Sequence, residues 1–242
     1  MIYFLLLFFP MALSGMCFVL RKQSNLASLL ALLAVMLEAV LVIRIPVERP
    51  AQLLGVHLTV VPLNRLFLLA FCLALFVAFL ATFQIPHGEN FPAIALLTLG
   101  LIAATMVMQD PLVITLLLLA SGLAVILALV DLPADGPGLV AATSIEAALR
   151  YLTLMLLAGL VLALGYVLVD TTRLRSGEDV ISAKLILAFL LLGFALRLAA
   201  IPFHSWLPDL VDEAAPLVSL IVVGNHQCGG APFSGVIIPV HP

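Results

Sequence analysis

Residues 93–130 read AIALLTLGLIAATMVMQDPLVITLLLLASGLAVILALV. A transmembrane helix needs about 20 mostly apolar residues, and this stretch is too long for one such crossing. It is broken once, by Gln109-Asp110-Pro111, where aspartate and proline are turn-forming residues. The stretch therefore predicts two spans, Ala93 to Met108 and Leu112 to Val130, folded back on each other. Because only helices and closed barrels satisfy their backbone inside a bilayer, this reading fixes the class as a helical, multi-span membrane protein.

The flanks repeat the pattern. Ile2 to Leu20 forms a first run, stopped by Arg21 and Lys22, and Leu26 to Ile43 and Leu63 to Phe83 form the second and third. Ile145 to Val169 is a sixth and Ile181 to Ile201, ended by Pro202, a seventh; an eighth begins near Pro216. The connections are short and carry the turn formers Pro46 and Pro50, Pro86 to Pro92, Asp131 to Gly138, and Ser176-Gly177. No soluble domain fits between two spans. The expected fold is an all-α integral membrane protein, a bundle of about seven transmembrane helices plus a truncated eighth.

Composition agrees. Hydrophobic residues make up 64% of the 242 and charged residues 10%, against about 25% charged in soluble domains. The net charge of −3 sits mainly at segment ends, and the two lysines, Lys22 and Lys184, form no basic patch for nucleic acid. Cys17, Cys72 and Cys228 share no metal-ligand spacing, and the first two read as apolar fillers within helices. Without a basic n-region, Met1 to Leu20 reads as a first membrane helix and not a cleaved signal. If helices alternate, Arg21, Lys22 and Arg150 share one side and Arg44, Arg49, Arg65, Arg173 and Arg175 the other. The positive-inside rule places the second group and the N-terminus in the cytoplasm.

After Gly224 the chain turns polar and glycine-rich, Asn225-His226-Gln227-Cys228-Gly229-Gly230. The expected division is a membrane domain over 1–224 and an atypical tail over 225–242, either extramembrane or the product of a shifted reading frame.

The chemistry-bearing stretch lies between spans seven and eight. Arg197 sits in an apolar helix five residues before Pro202, and His204, Trp206, Pro208 and Asp209 follow. Broken helices are tolerated at membrane depth only where protein or a water-filled cavity re-satisfies the freed carbonyls. An ionisable residue beside such a break marks a pathway.

Pro202-Phe203-His204-Ser205-Trp206-Leu207-Pro208-Asp209, with Val218-Ser219 after an acidic loop, resembles the signature of the antiporter-like membrane subunits of proton-pumping NADH:quinone oxidoreductase, the family that includes Mrp-type antiporters and membrane-bound hydrogenases. Thr143 to Tyr151 resembles the start of the sixth helix of the complex I subunit N type. The resemblance covers residues 1 to 224, about the first half of a fourteen-helix subunit. It implies a proton half-channel with a glutamate on helix five and a lysine on helix seven. Here those positions hold Leu119 and Arg197. Arginine keeps its proton, whereas a buried lysine can release it, so Arg197 supplies a fixed charge and relays poorly. The helix-eight lysine is absent.

Each proton-path candidate has a plainer reading beside it. Arg197 could snorkel or pair with a carboxylate, and His204 could either carry a proton or hydrogen-bond freed carbonyls. Thr143 and Glu146 fit a capping box, and Glu146 with Arg150 makes an i,i+4 pair. Glu38 interrupts the second run at a costly place, pairing with Arg44 or another subunit, or lying near the interface on a tilted helix. Asp209, Asp212 and Glu213 suit the start of helix eight.

The resemblance implies a membrane subunit that couples electron transfer from NADH to quinone with proton movement. Its partners would be other membrane subunits of a respiratory or antiporter complex, in a bacterial cell membrane. NADH and quinone would be used by the assembly, with no cofactor or metal bound by this chain. A component of a cation/proton antiporter or membrane-bound hydrogenase, and a non-pumping scaffold or fragment, are the competing readings.

Overall fold

The computed structural model describes residues 2–47, 50–53, 56–85, 87–131, 142–174, 180–198 and 216–228. Within them the chain runs α1 (Ile2–Val19), α2 (Ser24–Arg44), β1 (Ala51–Leu53), β2 (Val56–Leu58), α3 (Pro62–Ala81), α4 (Phe91–Val107), α5 (Pro111–Val130), α6 (Ala142–Leu174), α7 (Val180–Arg197) and α8 (Pro216–Cys228). Helices one to seven stand where the apolar runs place them. The protein is an all-α integral membrane bundle, with one small addition.

That addition is the β1–β2 hairpin, which sequence reading leaves as a connection. It pairs Ala51 with Leu58 and Gln52 with His57. A bridge from Leu58 to Met108, and Thr59 N–H donating to the Val107 carbonyl at 2.9 Å, stitch it to the end of α4. Asn64 closes the same end from α3, donating through Nδ2 to the Met106 carbonyl at 2.9 Å. These donors occupy carbonyls that a helix end leaves without intrahelical partners.

The Gln109-Asp110-Pro111 break is a helix start. Asp110 Oδ1 accepts from the Leu112 and Val113 amides at 2.9 and 3.3 Å, and Pro111 takes the first helical position. Both choices suit a helix N-terminus, whose amides lack partners and where proline's missing N–H costs nothing.

α4 is the centre of the bundle and is buried nearly all round. Its two buried threonines turn their hydroxyls back onto their own helix, Thr98 to the Ile94 carbonyl and Thr105 to the Ile102 carbonyl. That satisfies them without a partner helix. The outer faces are the reverse: Leu66 and Leu73 on α3 and Leu116 on α5 are each more than 60% exposed. Such leucines belong against lipid, since contiguous apolar surface of this extent is rare on soluble monomers. Five helices are long and apolar enough to cross a bilayer: α1, α2, α3, α5 and Ala148–Val169 of α6.

α6 and α7 pack against each other at small residues. A Cβ on Gly193 would stand 2.6 Å from Leu162 Cγ and 3.2 Å from its backbone nitrogen. Close approach through glycine is how membrane helices gain packing where lipid removes the hydrophobic drive.

Two boundaries differ from the sequence reading. α7 ends at Arg197, short of Pro202, with the Leu198 amide making a last bond to the Phe194 carbonyl at 2.8 Å. α8 continues through Asn225 to Cys228, past the polar run expected to stop it after Gly224. Asparagine and glutamine are tolerated in a helix, and Asn225 has partners waiting for it.

Candidate functional site

The partners lie at the middle of the bundle. Ser121 stands near the midpoint of α5 and Phe71 near that of α3, and α8 meets both: Gly224 lies against the Phe71 ring and Asn225 against Ser121. The Ser121 hydroxyl is 2.9 Å from Asn225 Oδ1 and 2.8 Å from the Leu118 carbonyl, two acceptors for one proton. Asn225 Nδ2 donates to the Tyr151 hydroxyl at 3.4 Å. Ser121, Tyr151 and Asn225 are each fully buried.

Arg197 enters the same place from the end of α7. Its side chain is buried; Nη1 donates to the Leu118 carbonyl at 3.5 Å and contacts Met155 Sδ at 3.1 Å. The Tyr151 ring lies within electrostatic reach of the guanidinium. Nε and Nη2 have no hydrogen-bond partner among the described residues. Leu118 O therefore joins the arginine to the serine–asparagine–tyrosine chain. A guanidinium thus ends a helix in the interior, in contact with the Leu118 carbonyl and the Met155 sulfur.

The helix-five position expected from the resemblance, Leu119, packs instead on Gly159 of α6, with Leu119 Cδ1 3.1 Å from where a Cβ would be. α5 buries two polar side chains, Thr115, whose hydroxyl turns back onto the Pro111 carbonyl, and Ser121, which reaches α8. Sequence reading missed Ser121, Tyr151 and Asn225. The available signal was a polar residue alone inside an apolar run, which marks Ser121 and, once α8 is known to continue, Asn225.

The remaining candidates separate. Glu38 is fully buried on α2, and neither carboxylate oxygen has a hydrogen-bond partner among the described residues. The pairing with Arg44 expected as one alternative is not made among the described residues, and the carboxylate is enclosed by protein. Glu146 is exposed and takes a 2.6 Å ion pair from Arg150, the i,i+4 partner expected of it. His204 and Asp209, with the helix breaks Pro202 and Pro208, lie outside the described residues.

Residues 139–230 match the family model for the NADH:quinone oxidoreductase/Mrp antiporter transmembrane domain. That range contains the Thr143–Tyr151 and 202–209 stretches that carry the resemblance. NAD(P)H-quinone oxidoreductase subunit 2 of Synechococcus sp. (strain WH7803) is 37% identical over 101 residues, which cover 37% of this chain and 19% of the relative. The same subunit of Prochlorococcus marinus (strain NATL2A) is 35% identical over 99 residues, covering 36% and 19%. A chain of the membrane-bound sulfane sulfur reductase (MBS), an archaeal respiratory membrane complex, superposes with a TM-score of 0.71 at 15% identity. That match covers 93% of this chain and 52% of that one, and it shows shared fold.

Proposed function

We propose that this chain, which over residues 139–230 is of the NADH:quinone oxidoreductase/Mrp antiporter transmembrane family, is a membrane subunit of a complex I-like assembly coupling electron transfer to proton movement. The observation that carries the reading is Arg197, a charge closing α7 in the bundle interior beside Ser121, Tyr151 and Asn225. A soluble-type core has no reason to hold a guanidinium there, and a charge inside a membrane bundle marks an ion or proton pathway by default. Redox chemistry belongs to partner subunits, which would bind NADH and quinone. The cyanobacterial relatives support a bacterial membrane as the location.

A specific observation also favours a non-pumping member of the assembly. The acid expected on helix five is Leu119, and the relay position on helix seven is an arginine, which holds its proton where lysine would release it. The two readings part on one substitution. In the assembled complex in proteoliposomes, Arg197→Lys is expected to raise proton flux, by more than His204→Ala lowers it. Equal flux for Arg197→Lys and Arg197→Ala overturns the pathway and leaves the scaffold. A chain that co-purifies with no membrane complex overturns both.

A further inference from the structure

Arg197 is anchored through one nitrogen only. Nη1 reaches the Leu118 carbonyl and the Met155 sulfur, on α5 and α6. Nε and Nη2, which lie side by side along one edge of the guanidinium, are buried with no hydrogen-bond partner among the described residues. The charge is unmatched as well. Neither α5, α7 nor α8 carries an acidic residue within its span. On α6, Glu146 is exposed and paired with Arg150, and Asp170 stands about 22 Å along the helix from Met155. Ser121, Tyr151 and Asn225, joined to the arginine through the Leu118 carbonyl, are polar but uncharged side chains bonded to one another.

An arginine cannot shed its proton to escape this position. Buried charges are paired in folded proteins, because an isolated one is too costly to keep. Two N–H groups on one edge fit a carboxylate, whose two oxygens accept in parallel. One guanidinium also balances one carboxylate. A water on the same edge would leave the charge unmatched. A phosphate dianion would bring a second negative charge, and Arg197 is the one buried cation among the described residues.

We propose that the Nε–Nη2 edge of Arg197 is a binding site for one carboxylate, that of an acidic side chain delivered to the bundle interior from beyond the described residues. The proposal rests on the reading of Arg197 as the interior charge of a membrane subunit, and it names the counter-ion. Two sources carry the same chemistry: another part of this chain, or a neighbouring subunit. The experiment separates them.

Gly122 of α5 gives the means. A Cβ there would stand 3.7 Å from Met155 Cβ and 3.8 Å from the Tyr151 hydroxyl, in ordinary contact, so a side chain can start from it beside the guanidinium. Thermal unfolding of the full chain in mild detergent reads the result. Gly122→Glu is expected to unfold roughly 4–8 °C above Gly122→Gln. Arg197→Leu should reverse that order, because the new carboxylate then lacks a cation. Gly122→Ala shows what filling the glycine costs by itself. If Gly122→Glu does not fold, Ser121→Asp against Ser121→Asn reads the same difference. A gain in the otherwise unaltered chain assigns the natural carboxylate to a neighbouring subunit. If this chain fills the edge itself, the gain appears only once its own acid is neutralised. Asp209→Asn, Asp212→Asn or Glu213→Gln then lowers stability with Arg197 present and leaves it unchanged with Arg197→Leu. A Gly122→Glu advantage that survives Arg197→Leu, or none even with all three acids neutralised, overturns the proposal. Proton flux is read separately: equal flux for Arg197→Lys and Arg197→Ala fails the coupling reading and leaves the unfolding pattern, and with it this site, intact.

Discussion

Glu38 and Asn225 are both fully buried polar side chains within an apolar helical bundle, and the bundle treats them in opposite ways. Asn225 meets Ser121 and Tyr151, and through the Leu118 carbonyl it is joined to Arg197. Glu38, on α2, has both carboxylate oxygens without a partner among the described residues. Hydrogen bonds between membrane helices are worth only about 0.6 kcal/mol on average. Leaving a polar group buried and unpaired costs about 1–3 kcal/mol in protein mutational series. The α5–α8 half has distributed its polarity over four helices, with only Nε and Nη2 of Arg197 left unpartnered in that cluster among the described residues, whereas on α2 of the α1–α4 half both Glu38 oxygens and the Ser28 hydroxyl have none.

The sharpest way to break this contrast is at the packing that delivers Arg197. Gly193 lies one turn before the arginine and brings α7 onto Leu162 of α6. Gly193→Val adds three carbons where one already overlaps both the side chain and the backbone of Leu162. Overpacking typically costs about 1–3 kcal/mol, and because backbone is among the contacts this variant belongs at the upper end. Thermal unfolding in mild detergent should show the drop, together with loss of proton flux. Unchanged stability would mean that α7 is not held in this register.

How much of this was legible in the sequence follows from length and pattern. The seven long apolar runs set helices one to seven within a few residues, because a span needs a fixed length and charges or prolines end it. Asp110 and Pro111 located the α4–α5 reversal for the right chemical reasons. The hairpin at Ala51–Leu58 was not legible, since two strands of three residues carry too few side chains to show alternation. Asn225 was misread for a different reason. A polar residue in an apolar helix looks like the helix's end until its partners are known, and those lie more than a hundred residues earlier, at Ser121, and on α6, at Tyr151. Arg197 was legible because an arginine in an apolar run is costly enough to require an explanation. Ser121 carried only the weak signal of a polar residue inside an apolar run, because a serine can bond back to its own helix and needs no partner.

Glu38 sharpens the contrast from the other side. With no described partner to lose, Glu38→Leu removes an unpaired carboxyl and is expected to stabilise the isolated chain by about 1–2 kcal/mol. Glu38→Gln, which keeps the polarity, should gain little. Both are read by the same unfolding assay. A destabilised Glu38→Leu would show that a basic or donor group from outside the described residues completes the site, and the chain purified with its assembly would then show the larger loss.

Asn225→Leu carries the smallest expected effect and the most information about the network. Leucine is close to asparagine in size and suits an apolar helix, so packing changes little. Ser121 retains the Leu118 carbonyl at 2.8 Å, and the cost reduces to one or two interhelical hydrogen bonds, about 0.6 kcal/mol and at most about 1.7. If α8 is held chiefly by polarity, Ser121→Ala combined with Asn225→Leu should cost no more than Asn225→Leu alone, because the two residues share one contact. Additive losses in that double-mutant cycle would mean that each residue acts through different neighbours. The four-helix polar chain would then be two separate local contacts, leaving Arg197 connected only to Leu118 of α5 and Met155 of α6.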